Sequence, residues 1–117
     1  MAETGEVSTH IHRVIVRGRF DGLDERQVAA LRGAQPRHDV LDSAFTEAGV
    51  LTYGPEIGPF SLRYEIRTTG DDDGRDVTAE ARQVALDKAT AELDALGVGY
   101  RDLRVAADEM TALWRRG

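Results

Sequence analysis

Two stretches of strict alternation constrain this chain more than any other feature in it. Between His10 and Phe20, the residues Val14, Val16, Gly18 and Phe20 alternate with Arg13, Ile15, Arg17 and Arg19. Later, Phe60, Leu62, Tyr64 and Ile66 alternate with Ser61, Arg63, Glu65 and Arg67. A period of two in bulky and β-branched residues marks a strand buried on one face only. Each stretch therefore predicts a strand with an apolar face that needs a core and a charged face that does not.

The segments around these strands can be placed by their punctuation. Residues 1–9 read as a flexible tail and residues 10–117 as a single domain, since 117 residues suffice for one core. Asp21 to Glu25 supply a turn, a helix cap and acidic residues for a first helical turn, predicting a helix from about Asp24 to Arg32 that Gly33 and Pro36 end. Its inward stripe would be Gln27, Val28, Leu31 and Ala30. Residues 37–49 fit either a further helical turn or strand pieces, and a strand is expected from Gly49 onward. Gly54 to Pro59 is dense in turn formers and reads as a hairpin loop before the second alternating strand.

A second helix is predicted after the polar loop Thr69 to Arg75, capped by Asp76 or Thr78. Ala81, Ala85, Ala89, Leu93 and Leu96 recur down one side of it, and Gly97-Val98 fits a Schellman ending. Tyr100 to Ala107 reads as a last strand and Asp108 to Trp114 as a terminal helix or arm.

The resulting order of strand, helix, strand, strand, helix, strand resembles the ferredoxin-like superfold. The resemblance implies an α+β domain whose antiparallel four-stranded sheet carries two helices on one face, with the first and third strands central and adjacent. The strings HRVIVRGRFDGLDERQ, AFTEAGVLTY and GVGYRDLR also resemble a family of small, uncharacterised actinobacterial single-domain proteins. Neither resemblance implies an activity, because this superfold hosts many.

Composition narrows the functional classes. With 15 basic against 21 acidic residues, the net charge of −6 repels a nucleic-acid backbone, and the aromatics Phe20, Phe60 and Tyr64 have buried parity rather than the exposed parity of a base-stacking sheet. No cysteine is present, which removes thiolate chemistry and Cys-ligated metals. No stretch of eighteen apolar residues exists, and a cytoplasmic, non-membrane protein is expected. Nucleotide-binding glycine loops and the G-x-S-x-G nucleophile elbow are also missing, and no cofactor is expected.

What remains is the charged face of the two central strands. Arg13, Arg17, Arg63 and Arg67 share it, and guanidinium forks match carboxylate or phosphate, so these four are the expected ligand residues. Arg63, Glu65 and Arg67 equally suit a cross-strand ion-pair ladder, the plainer reading. His10 and His12 have a spacing that could chelate a metal with His38 or a carboxylate, but three histidines are the whole supply. They are read as exposed and unliganded, with no metal site. The acidic run Asp71 to Asp73 lacks the spacing of a calcium loop.

Two functions follow. The first is a non-catalytic module, a homodimer binding a small anionic or aromatic ligand. The second, by analogy with small ferredoxin-like dimers that the fold resembles, is a cofactor-free enzyme, a cyclase, isomerase or monooxygenase acting on a polyketide-type molecule between sheet and helices. Its base would be sought among His12, His38 and Tyr53, since Glu65 between two arginines suits an ion pair better than proton abstraction.

Overall fold

The computed structural model of the protein describes residues 8–39, 44–70 and 77–110. In chain order these form β1 (Ser8–Phe20), α1 (Glu25–Ala34), a 3-10 turn (Gln35–His38), β2 (Val50–Tyr53), β3 (Pro59–Gly70), α2 (Val77–Leu96) and β4 (Tyr100–Glu109). The strands make one antiparallel sheet in the order β2-β3-β1-β4. The expected class is therefore met: an α+β domain with a four-stranded antiparallel sheet and two helices.

Register follows from the alternation. Val14 lies opposite Tyr64 and Val16 opposite Leu62, so the two apolar faces coincide, and Ala107 and Val105 continue the row onto β4. Val14, Val16, Leu62 and Tyr64 are almost wholly buried beneath α2. Each such side chain contributes roughly 1.5–3 kcal/mol through burial. On α2, Ala81, Ala85, Ala89 and Leu93 are fully buried, a stripe at four-residue spacing whose small side chains bring the helix axis close to the strands. Leu96 breaks the expected stripe, being 45% exposed. The helix ends before it can turn inward: Gly97 takes φ +73°, its N–H donates to Asp94 O at 3.0 Å, and Val98 N–H donates to Leu93 O at 3.4 Å. That is the Schellman ending predicted, with Val98 folded back into the core.

Helix α1 departs further from expectation. Its cap is as read, since Asp24 and Gln27 form a reciprocal capping box, with Gln27 N–H to Asp24 Oδ1 at 2.8 Å and Asp24 N–H to Gln27 Oε1 at 2.7 Å. Of the predicted inward stripe, only Leu31 is buried. Gln27 and Val28 are half-buried and Ala30 is exposed. The helix is instead held by polar ties at both ends, described below.

Smaller differences concern the termini of elements. β1 begins at Ser8, inside the expected tail, and β4 continues through Asp108 and Glu109, where a terminal helix or arm was expected. Thr78 is inside α2 rather than capping it, while Asp76, the Asp71 to Asp73 run and Trp114 lie outside the described residues. In the undecided stretch, Gln35 to His38 make the 3-10 turn and Thr46 bridges to Tyr64 beyond the end of β2, its carbonyl accepting from Glu65 N–H at 2.8 Å. Gly49 at φ +93° lets the chain pass over the Tyr64 ring, which occupies the space a Cβ would need.

One irregularity shapes the open face. Asp102 and Leu103 together oppose Gly18, a bulge in β4 with Asp102 at φ +59°. Leu103 packs against the core there, and a Cβ on Gly18 would come within 2.7 Å of it. The extra residue returns Arg101 to the face shared by Arg19, which lies opposite it.

Candidate functional site

The polar ties of α1 create a cleft. Near its start, Gln27 Nε2 donates to Gly97 O at 2.6 Å, joining it to the end of α2. Below it, Tyr53 O–H donates to Leu31 O at 2.6 Å. Past its end, Gln35 Nε2 donates to Tyr53 O at 3.0 Å and His38 Nδ1–H to Leu51 O at 3.0 Å. The last two bonds also satisfy carbonyls of β2, the edge strand, which would otherwise stand open to pairing. Held on these supports rather than on a packed apolar face, α1 leaves a pocket of about 460 Å³ between itself and the sheet.

The floor of this pocket is Leu51 and Tyr53, one wall is Ala30, Leu31 and Ala34, and the other is Leu96 and Val98. The half-exposed Leu96 is thereby explained as a side chain on the pocket wall. Asp24, Arg26, Gln27 and His38 add polar groups. Burial pushes the Tyr53 phenol up from its ordinary range, against a smaller opposing effect of the Arg37 charge, so it stays a hydrogen-bond donor. The His38 ring stacks on Tyr53 with centroids 5.4 Å apart. Because a carbonyl only accepts, the His38–Leu51 bond fixes the proton on Nδ1 and leaves the lone pair of the neutral ring on Nε2.

The four arginines singled out from the sequence do share the open face, but they are not equivalent. The Arg13 guanidinium lies 5.3 Å from the centroid of the Phe45 ring, and its strand neighbours are Glu65 and Asp108. Arg63 Nη1 donates to Thr52 Oγ1 at 2.9 Å. Arg67 Nη2 reaches Glu65 Oε2 at 3.4 Å, the ladder contact expected. Arg17 alone of the four has no hydrogen bond, ion pair or ring contact among the described residues. Its neighbour across the strands is Arg104, which the sequence reading passed over.

The histidine pair is a correction. His12 is fully buried, not exposed, because it shares the core parity of Val14 and Val16. Its Nε2 lies 3.2 Å from Thr68 Oγ1, and its Nδ1 has no partner among the described residues. Desolvation lowers its pKa, with Glu109 opposing and His10 adding to the effect. His10 is not free either: its Nδ1 lies 3.1 Å from Glu109 Oε2. Among the described residues no group of three His, Cys, Asp or Glu is arranged to hold a metal. His38 belongs to the α1 cleft, remote in the fold's logic from this pair, which sits on the far half of β1.

Fold and cleft together define a small α+β domain with an apolar pocket between its first helix and its sheet edge. The chain belongs to DUF6204, a family of unknown function, which it matches over residues 7–116. Comparison with curated proteins and with solved structures finds no match. No described helix is long and apolar enough to cross a membrane.

Proposed function

We propose that the protein is a ferredoxin-like small-molecule binding module whose ligand occupies the cleft between α1 and β2. The strand order β2-β3-β1-β4 with its βαββαβ element order supports the superfold assignment. The observation that carries the function is the cleft itself, about 460 Å³ and walled by Leu31, Leu51, Leu96 and Val98 with a few polar groups at its margin. That volume and chemistry suit a ligand with an aromatic or aliphatic body and a single polar end.

The test uses the uncharged fluorophore N-phenyl-1-naphthylamine as probe. It should bind with a stoichiometry of one per chain, and Ala30→Trp should abolish the signal by filling the pocket from an exposed helix position without a change in melting temperature. Equal binding by parent and variant would remove the cleft from consideration.

His38 favours a second reading, a cofactor-free enzyme acting on a small molecule. Its ring lines the cleft with the Nε2 lone pair fixed by the Leu51 bond, which is the arrangement a general base requires. Binding ranks first because, among the described residues, no second titratable group is joined to that nitrogen to orient or relay a proton.

A further inference from the structure

We propose that Arg17, Arg19 and Arg104 form a second binding site, on the opposite face of the sheet from the cleft, for a small oxyanion of charge two or more such as a phosphate ester or a dicarboxylate. Three observations lead there.

Arg17 and Arg104 are direct cross-strand neighbours, and like charges so placed repel. The fold keeps them together without relief, since neither they nor Arg19 has an ion-pair partner among the described residues. The contrast with the neighbouring Arg101 is informative: it has Asp21 at 3.9 Å and Asp102 at 3.8 Å.

The second observation is a depression. Arg17, Arg19 and Arg104 line a pocket of about 360 Å³ together with Thr52, Ser61 and Asp39. Among the described residues that line the pocket, three guanidiniums face one carboxylate, that of Asp39, on a chain whose net charge is −6. A local field of that sign on an acidic protein concentrates small anions in this one place.

The third observation concerns Thr52, which is 3% exposed and lies in the pocket wall. Its Oγ1 accepts from Arg63, so its own proton remains to be donated. Arg63, expected to touch ligand, instead holds the hydroxyl of Thr52, a residue of the pocket wall, and so acts as a positioning residue. Guanidinium forks and a hydroxyl donor are the groups that recognise tetrahedral or paired carboxylate oxygens. A univalent carboxylate would leave the cluster under-neutralised.

The experiment is thermal melting of the full chain at constant ionic strength, with inorganic phosphate, malonate or acetate as the added anion. Phosphate should raise the parent's melting temperature by about 5 °C at ~10 times its dissociation constant. Arg104→Gln should lose that gain, and should melt no lower than the parent in phosphate-free buffer because it relieves the repulsion. Arg67→Gln, outside the pocket, should keep the gain. A larger gain with malonate than with phosphate identifies the natural ligand as a dicarboxylate; the reverse identifies a phosphate ester. An equal gain with acetate, or a full phosphate gain in Arg104→Gln, overturns the site. So does an Arg104→Gln variant that melts well below the parent, since the pair would then be stabilising the sheet.

Discussion

At the scale of single residues, the fate of a polar side chain here is decided by strand parity before any chemistry. His12 stands two positions from Val14 and is carried into the core with it, with one ring nitrogen near Thr68 and the other unpartnered among the described residues. Tyr64 is treated alike: burial, with the Glu92 charge adding, pushes its phenol up to about 12. For His12 the consequence is an acid sensitivity. Its folded pKa lies below the unfolded value near 6.5, so the unfolded chain binds the proton more readily. The stability it contributes is full above that unfolded value and is lost as pH falls through the lower folded one. Chemical denaturation should therefore show stability declining below about pH 6.5. In His12→Leu that part of the decline should disappear; an unchanged pH profile in the variant would mean that His12 binds its proton equally well in the folded and unfolded chain.

At the scale of elements, the contrast between α1 and α2 matters most. The second helix is anchored by a buried stripe and the first by hydrogen bonds at its ends, with Leu31 its one buried side chain. Gln27 serves twice, in the capping box and in the bond to Gly97. Gln27→Ala should cost about 1 kcal/mol through the cap and should let α1 open locally. Amide hydrogen exchange in residues 28–34 should accelerate while β1 and β3 stay protected. Uniform acceleration through the sheet would show instead that α1 and the sheet open as one unit. The same contrast explains what could be read in advance. Alternation and the Ala81, Ala85, Ala89, Leu93 stripe report burial directly, so sheet register and α2 were legible. The cleft was not, because Gln27, Gln35 and His38 act by reaching distant carbonyls, and nothing local in the sequence marks which carbonyl a side chain will meet. Arg104 was within reach, since Leu103, Val105 and Ala107 turned inward leave it outward. The bulge that brings Arg101 round to the same face follows from Asp102 at positive φ, which an aspartate tolerates but does not announce.

At the scale of the whole molecule, the sheet separates two environments. One face is apolar, covered by helices and incompletely filled beside α1. The other carries Arg13, Arg17, Arg19, Arg63, Arg67 and Arg104 against Glu65 and Asp108. The proposed seat of the small molecule is the cleft on the helical face, and intermolecular NOEs between N-phenyl-1-naphthylamine and the protein's methyl groups report on it. NOEs to Leu31, Leu51, Leu96 and Val98 are expected. NOEs to Ile11 and Ile15 of the open face, with none to those four, would contradict it.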